Sequence, residues 1–378
     1  MNIAYISKNN PANRIARSGI PYSIYQQLSK ENNVIWIEPR IETIFEKVLY
    51  ILLRLLKRTL SMMGYNLMST AFEAKIYSYS TQRQLDKIEY DCIFTIAGAE
   101  IVYLKTDKPI FSRTDAIIQS FKDYYIKSVP DFAFNWASNI EKRAISKQKY
   151  IFVASHWVLN EAIKYNIKDV EKKFVVIESG ANLDPKEIQY KHHEYSLNKQ
   201  LNMIIVGYDV MRKGLDVAFD AAKILNEKYN VKAYVTVMGG KPSDEMLQSG
   251  FIRYVGMKDK NNPKEYNEFY DIFSSADLFI FPTKAECHGI VNCEAAAYGL
   301  PIFSNNTGGV GDYCIDGVNG RCLPVTSGGK EYAEAIYDAL STGKIIEYST
   351  NSRKLYIEKF NWQSWGNRVL PIMQKACK

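Results

Sequence analysis

Residues 278–301 read LFIFPTKAECHGIVNCEAAAYGLP, and this stretch decides the fold. The apolar run Leu278–Phe281 is typical of a strand buried on both faces, and the alanine-rich run predicts a helix that begins near Val291. Glu286 falls in the loop between them, and Glu294 falls in the first turns of the helix. A strand, a loop and a helix in this order predict an open α/β sheet, which binds ligands at the carboxyl edge of its strands.

The loop before this helix suits a phosphorylated ligand that also carries hydroxyl groups. The N-terminus of a helix offers backbone N–H groups to an anion. A carboxylate beside a phosphate is costly unless it accepts hydrogen bonds of its own, and sugar or ribose hydroxyls are suitable donors.

The same alternation of strands and helices runs through both halves of the chain. Short apolar runs occur at 3–6, 34–37, 92–96, 151–154 and 174–177, and again at 203–206, 234–238, 252–255, 278–281 and 301–304. Helical patterns lie between them, which predicts two doubly wound α/β domains with parallel sheets. The polar segment 184–200 has no apolar periodicity, so we expect the linker there.

The segment from Glu286 to Glu294 resembles the E-x7-E signature of retaining glycosyltransferases of family 4. The similarity continues through Gly299-Leu300-Pro301 and Asn306-Thr307-Gly308-Gly309-Val310. The resemblance implies a GT-B fold, in which two doubly wound Rossmann-like domains face each other across a cleft. Residues 1–185 would form the acceptor-side domain, 186–355 the nucleotide-sugar domain, and 356–378 a helix that crosses back to the N-terminal domain.

The resemblance also implies roles for residues of the C-terminal half. Glu286, a catalytic residue, would hold the hydroxyls of the transferred sugar with His288 and Gly289, and Glu294 would hold the nucleotide ribose. The donor diphosphate would bind cationic and backbone groups of this half, together with Gly19 of the N-terminal half; those of this half are Arg212, Lys213, Gly289, Ile290 and Gly309. Lys213 would also stabilise the leaving group and so take part in catalysis.

The loop after 203–206 departs from the family pattern at one position. The family usually carries Gly-Arg followed by Lys-Gly, whereas this chain has Gly207-Tyr208 before Lys213-Gly214. The second positive charge would therefore have to come from Arg212. The alternative is that Arg212 and Lys213 are ordinary surface charges on a loop.

Two residues of the N-terminal half match functional positions of the family. Gly19 resembles its glycine-rich loop, with Ser18 where a second glycine is usual, and a plain turn is the alternative. Asp115 matches the position where many relatives carry a histidine or aspartate that faces the donor sugar. Its alternative is a helix N-cap.

We therefore predict a retaining enzyme that moves a sugar from a nucleoside diphosphate sugar to a saccharide or lipid-linked acceptor in bacterial-type surface polysaccharide or glycolipid synthesis. One alternative is a catalytically degenerate relative that binds nucleotide sugars without turnover. Another is a dinucleotide oxidoreductase, although the chain has no Gly-x-Gly-x-x-Gly after a strand. A PLP-dependent phosphorylase would need a cofactor lysine, for which we find no motif. There is also no Asp-x-Asp motif, and the four histidines lack ligand spacing, so we expect neither a metal nor a cofactor.

Composition predicts a cytoplasmic protein that could associate peripherally with a membrane. The 378 residues contain no run of about 20 apolar residues, and the N-terminus reads as a strand rather than a signal peptide. The six cysteines form no Cys-x-x-Cys pair, which indicates reduced thiols. We find no nucleic-acid-binding module, and the basic residues are spread along the chain.

Residues 41–63 predict an amphipathic helix with a basic face. Apolar residues recur at three- and four-residue steps, while Lys47, Arg54, Lys57 and Arg58 project largely from the other side. With a net charge of +7, such a helix could bind the anionic inner face of a membrane. The alternative is a helix packed on the sheet of the first domain with its polar side in solvent.

Overall fold

The chain forms two units, each built on one six-stranded sheet. The computed structural model describes residues 1–41, 43–62, 70–96, 98–122, 124–125 and 129–378. The N-terminal unit consists of Met1–Ile177 and Gly366–Lys378, and the C-terminal unit of Glu178–Trp365. The segment 184–200 lies inside the C-terminal unit and contains no regular element.

The sheet of the N-terminal unit has the order β2-β1-β3-β4-β5-β6, and all of its neighbouring strands are parallel. Its strands are β1 Asn2–Ile6, β2 Asn33–Ile37, β3 Cys92–Thr95, β4 Ile110–Thr114, β5 Tyr150–Val153 and β6 Phe174–Val176. The helices that accompany them are α1 Ile20–Ser29, α2 Ile44–Met62, α3 Ala71–Leu85, α4 Ile118–Phe121, α5 Asp131–Lys147, α6 His156–Lys164 and α7 Val170–Lys173.

Stacked aromatic rings fill part of the N-terminal core. The rings of Tyr5 and Phe94 lie 6.1 Å apart, and Phe152 lies 6.4 Å from both Phe94 and Phe111. All four side chains are fully buried. The strands that carry these rings are apolar, as the sequence pattern predicts for parallel strands in a covered sheet.

The sheet of the C-terminal unit has the order β12-β11-β10-β7-β8-β9, again with parallel neighbours. Its strands are β7 Leu201–Gly207, β8 Ala233–Gly239, β9 Ile252–Gly256, β10 Leu278–Phe281, β11 Ile302–Asn305 and β12 Gly320–Leu323. Its helices are α8 Leu215–Tyr229, α9 Asp244–Gln248, α10 Pro263–Ser274, α11 Ile290–Ala297, α12 Gly329–Ser341 and α13 Lys344–Glu358. The last helix, α14 Trp362–Ala376, begins in this unit and ends in the N-terminal one.

The C-terminal strand order reverses between β7 and β10. From β7 the chain builds outward through β8 and β9, and from β10 it builds in the opposite direction through β11 and β12. Such a switch point opens a crevice at the carboxyl ends of the two strands. The loops after β7 and β10 therefore converge at one place.

The predicted doubly wound architecture is confirmed in both units, and each of the ten strands proposed from apolar runs is present. The apolar runs in the sequence did not predict β4 or β12. β12 is short, and it contains a glycine and an arginine, so it carries little apolar signal. The helix expected near Val291 begins one residue earlier, at Ile290.

A carboxyl group links two helices of the N-terminal unit. Glu141 of α5 accepts a 2.8 Å hydrogen bond from the backbone N–H of Ile118, the first residue of α4. Burial raises the pKa of Glu141 to about 8, although this backbone bond opposes the shift.

We predict that Glu141→Gln increases stability at neutral pH, because the amide keeps the acceptor for Ile118 and needs no proton. In the native chain, folding takes up a proton between the ordinary carboxyl pKa of 4.5 and about 8, so this contribution favours folding at low pH and is lost as pH rises. The free energy of unfolding should fall by up to about 1.4 kcal/mol per pH unit in that window and should fall less in the variant. Urea unfolding at several pH values measures both slopes, and equal slopes would contradict the prediction.

Candidate active site

The loops after β7 and β10 touch at the switch point because a glycine lets them approach. Gly214 has a φ of +85°, and a Cβ atom placed on it would lie only 2.2 Å from the carbonyl oxygen of Pro282. The backbone N–H of Lys284 donates a 2.9 Å hydrogen bond to the carbonyl of Arg212. The chain thereby holds Arg212 and Lys213 of one loop against the loop that carries Glu286.

Lys213 and Glu286 form an ion pair at this contact. The ammonium group of Lys213 donates to Oε2 of Glu286, and both side chains are only 12% exposed. Lys213 Nζ also lies 4.7 Å from the centre of the Phe281 ring. Burial lowers the pKa of Lys213, while Glu286 opposes that shift. Lys213 is therefore not the surface charge that the alternative interpretation required.

Arg212 is tied to the same loop and lies close to the same carboxylate. Its Nη1 donates a 2.5 Å hydrogen bond to the carbonyl of Ala285 and lies 3.7 Å from Glu286 Oε2. Two cations thus surround Glu286. Tyr208, which stands where the family usually has arginine, is 81% exposed and supplies no charge.

Gly289 is the N-cap residue of α11, and its backbone lies next to Glu286. Its φ is +66°, and a Cβ atom there would lie 2.7 Å from Asn292 Nδ2 and 3.3 Å from Glu286 Cγ. Ile290 follows as the first residue of the helix, where the backbone N–H groups lack intrahelical acceptors. The loop therefore presents the start of a helix directly beside the Glu286 carboxylate.

His288 and Gly309 lie in or against this loop. His288 is buried, with its ring 5.7 Å from that of Tyr313. The backbone N–H of Gly309 donates a 2.9 Å hydrogen bond to the carbonyl of Cys287. The Gly309 amide thus holds the loop in this structure, whereas the sequence assigned it to the diphosphate.

Glu294 forms the second buried ion pair of the site. Its Oε1 lies 2.6 Å from Lys260 Nζ, and the two side chains are 4% and 12% exposed. Burial raises the pKa of Glu294, and Lys260 partly offsets this effect. Each carboxylate of the E-x7-E stretch is therefore neutralised by a lysine from another loop.

Lysine 260 was missed by sequence reasoning. It lies in the polar loop after β9, where Lys258, Asp259 and Lys260 look like solvated charges. In the structure its ammonium group also donates a 3.1 Å hydrogen bond to the carbonyl of Asn182 and lies 4.2 Å from the Phe269 ring centre. No local spacing indicates the two polar partners, Asn182 and Glu294, because both are distant from Lys260 along the chain.

In the N-terminal unit, the backbone before α1 adopts an unusual conformation at Gly19. Arg17, Ser18 and Gly19 all have positive φ, at 47°, 57° and 83°. The left-handed conformation costs about 1–2 kcal/mol for a residue with a side chain. Ser18 therefore adopts, at some cost, the conformation that glycine takes easily. Gly19 is the last of these three residues and occupies the N-cap position of α1.

Asp115 follows β4 and lies 3.6 Å from Nη1 of the buried Arg113. The N-cap alternative is wrong, because α4 begins at Ile118 and its N-cap position is Ile117. Asp115 and Gly19 belong to the N-terminal unit, whereas Glu286, Glu294 and Lys213 belong to the C-terminal unit.

A further ion pair lies after β1 and β3. Lys8 Nζ is 2.9 Å from Oε1 of Glu100, a carboxylate that is only 1% exposed, and it lies 3.6 Å from the centre of the Tyr77 ring. Sequence reasoning missed both residues. The only signal was the position of Glu100 shortly after a buried strand.

Comparisons with known proteins show what this chain is similar to. Residues 186–355 match the family model described as "Glycosyl transferases group 1". An uncharacterized glycosyltransferase of Methanocaldococcus jannaschii is 23% identical over 222 residues, which are 59% of this chain and 58% of that protein. The capsular polysaccharide biosynthesis glycosyltransferase CapM of Staphylococcus aureus is 25% identical over 65% of this chain and 67% of its own length. The match to spore coat protein SA of Bacillus subtilis, at 29% identity over 40% of this chain, covers 37% of that protein.

Solved structures show the same fold over the whole chain. Sucrose-phosphate synthase from Thermosynechococcus elongatus has a TM-score of 0.72 at 14% identity, with 99% of this chain and 98% of that chain covered. Anabaena HepE in complex with UDP and glucose has a TM-score of 0.67 at 14% identity, with 99% and 100% covered. The lipopolysaccharide glycosyltransferase WaaG has a TM-score of 0.63 at 14% identity, with 98% and 99% covered. The predicted GT-B fold class is confirmed.

We predict that Lys260→Met lowers the free energy of unfolding by roughly 3 kcal/mol, because it leaves the Glu294 carboxylate buried without its cation. The double variant Lys260→Met/Glu294→Gln should recover part of this loss, since the amide carries no charge. Urea unfolding of the four proteins in this cycle measures the coupling.

Lys258→Met is the matched control. Lys258 lies on the same loop and pairs with Glu268, whose side chain is 41% exposed, so water screens this pair and its loss should cost far less stability than the loss of Lys260. If the Lys260 and Lys258 variants lost equal stability, the special role of the buried pair would be refuted.

Proposed function

We propose that the chain is a retaining glycosyltransferase that transfers a sugar, of hexosyl type, from a nucleoside diphosphate sugar to a saccharide or lipid-linked glycan. The main support for this proposal is that two buried ion pairs, Lys213–Glu286 and Lys260–Glu294, lie at the switch point of the C-terminal sheet. The match of residues 186–355 to group 1 glycosyl transferases supports it. The similarity to CapM supports a setting in surface polysaccharide or glycolipid synthesis.

The cations of the site suit a leaving diphosphate. Cleavage of a glycosyl–phosphate bond develops negative charge on the departing nucleotide and positive charge on the sugar ring. Lys213 and Arg212 lie on one loop, next to the start of α11, and can stabilise that negative charge. Gly289 and Ile290 would contribute backbone N–H groups. Gly309 could do so only by exchanging its bond to Cys287.

Glu286 would change partners when the donor binds. In the ligand-free chain its carboxylate is bonded to Lys213. A bound diphosphate attracts Lys213, and the sugar hydroxyls then supply hydrogen bonds to Glu286. His288 and Gly289, which lie beside it in the same loop, would complete the sugar site.

Glu294 would receive the hydroxyls of the nucleotide ribose. Lys260 opposes the rise in the pKa of Glu294 that burial causes, and so favours the ionised carboxylate, which is the stronger acceptor. Lys260 is thus a positioning residue. It would hold Glu294 in place and would not itself contact the donor.

Retention of configuration places the acceptor hydroxyl on the same face of the sugar as the leaving group. Its proton would pass to the departing phosphate or to a nearby carboxylate. We assign Asp115 a catalytic role facing the donor sugar, with Gly19 allowing the backbone to approach the reacting phosphate. The side chains of Lys213 and Arg212 would serve instead of a divalent metal, so the proposal includes neither a metal nor a resident cofactor. The protein would act in the cytoplasm or at the inner face of a membrane, where lipid-linked acceptors are held.

We predict that one nucleoside diphosphate and its sugar conjugate raise the thermal stability of the protein with EDTA present, because a ligand that binds the folded state stabilises it. The set to test is UDP, GDP, CMP, their common sugar conjugates and NAD. Glu294→Ala should abolish the shift. A shift with NAD alone would instead support the oxidoreductase alternative, and no shift with any of them would contradict the proposed donor site.

We predict that Lys213→Ala lowers the rate of transfer by on the order of a hundredfold or more, because the leaving diphosphate loses its buried cation. Lys284→Ala is the matched control, since Lys284 lies on the adjacent loop and pairs with Asp216 while its side chain is 52% exposed. Donor turnover with a detected nucleoside diphosphate product measures both. Donor binding without turnover in the native chain would favour the degenerate relative.

A further inference from the structure

The helix α2 exposes a continuous apolar stripe. Six large apolar residues on it are half exposed or more: Ile44 at 81%, Val48 at 50%, Ile51 and Leu52 at 56%, Leu55 at 54% and Leu56 at 52%. Their spacing of three and four residues places them on one side of a helix. Exposed apolar residues are normal when scattered singly, whereas a contiguous patch marks an interaction surface.

The opposite side of α2 is bonded to the N-terminal unit by polar groups. Lys57 Nζ lies 2.7 Å from Glu73 on α3, and Glu46 lies 3.3 Å from Arg83 at the other end of α3. Between these ion pairs, the rings of Tyr50 and Tyr77 pack edge to face at 6.5 Å. α2 is therefore held with its apolar stripe directed away from α3.

This orientation overturns the sequence-based alternative, in which the apolar side packs on the sheet and the polar side faces solvent. The predicted basic face of α2 is also smaller than expected, because Lys57 is bonded to Glu73 and only 23% exposed. The remaining three basic residues, Lys47, Arg54 and Arg58, are exposed. Met63, the last position of the predicted pattern, lies outside the described residues.

The three exposed basic residues run along one flank of the apolar stripe. At 3.6 residues per turn, Lys47, Arg54 and Arg58 project within about 40° of one another, next to the side that carries Ile51 and Ile44. Among the described residues, none of the three forms an ion pair with an acidic side chain. An apolar stripe with a basic flank matches the boundary of an anionic bilayer, where acyl chains lie beneath negatively charged headgroups.

We propose that α2 is a membrane-docking surface that lies in the plane of an anionic bilayer. The apolar stripe enters the boundary between headgroups and acyl chains, and Lys47, Arg54 and Arg58 bind the headgroups. Among the helices of the described chain, none has the length and apolar content to cross a bilayer. A second copy of the chain is the other candidate for this stripe. The flank disfavours it, because pairing two stripes would bring two sets of unpaired positive charges together.

Co-sedimentation with vesicles tests this surface without requiring any donor or acceptor. The vesicles contain phosphatidylcholine with about 30% phosphatidylglycerol, and phosphatidylcholine alone is the reference. Leu52→Ser/Leu55→Ser should reduce binding to the anionic vesicles by about tenfold or more, because both side chains belong to the inserted stripe. Lys47→Gln/Arg54→Gln/Arg58→Gln should reduce it similarly and remove the preference for anionic lipid.

Matched controls lie on exposed parts of the C-terminal unit. Ile346→Ser/Ile357→Ser changes two exposed apolar residues of α13, and Lys330→Gln/Lys344→Gln/Lys354→Gln removes three exposed charges. Both should leave vesicle binding unchanged, and thermal unfolding verifies that every variant is folded. Equal losses in the control and α2 variants would overturn the proposal.

Two further outcomes would also overturn it. One is the absence of binding to anionic vesicles by the native chain. The other is a dimer, detected by sedimentation velocity, that the Leu52→Ser/Leu55→Ser variant loses while no vesicle binding is seen. That result would assign the stripe to a second copy. Because the test measures vesicle binding alone, its failure leaves the proposed transferase activity standing.

Discussion

Charge neutralisation at the switch point of the C-terminal sheet is the constraint on which the site depends. Two carboxylates of one short strand–loop–helix segment are almost fully buried, which would be unfavourable if they were unpaired. Lys213 and Lys260 offset that cost from two different loops. The pairs hold the loops after β7, β9 and β10 together before any ligand arrives. A donor with a charged diphosphate and neutral hydroxyls can then exchange partners with groups that are already in position.

Much of the fold could be predicted from the sequence because parallel strands buried on both faces leave a direct signal. Runs such as Leu278–Phe281 are apolar throughout, and helical patterns lie between them. β12 was not predicted because its own residues have little apolar character. It is recognised as a strand only from its pairing with β11 in the sheet. The sequence also did not predict which side of α2 faces the protein, since amphipathicity defines only that a helix has two different sides.

The candidate site was predictable where its residues are close in sequence, and less so elsewhere. Glu286, Gly289 and Glu294 share one segment, and Lys213 follows a recognisable strand, so pattern and resemblance were sufficient to select them. Lys260 and Glu100 became visible only in three dimensions, because their partners are distant along the chain. Gly309 was predicted to bind the donor diphosphate, and in this structure its amide is bonded to Cys287. Local sequence does not reveal which donors are already occupied.

Because part of the helix α14 belongs to the N-terminal unit, that unit is completed last during synthesis although it begins first. The C-terminal unit is one continuous segment, whereas the N-terminal unit includes Gly366–Lys378 from the far end of the chain. Gly366 packs so closely on α1 that a Cβ atom there would lie 2.2 Å from Gln27 Nε2. The N-terminal unit emerges first from the ribosome, but its last segment arrives only after the other unit has been made. Cutting the chain between the two units would therefore give one intact half and one incomplete half.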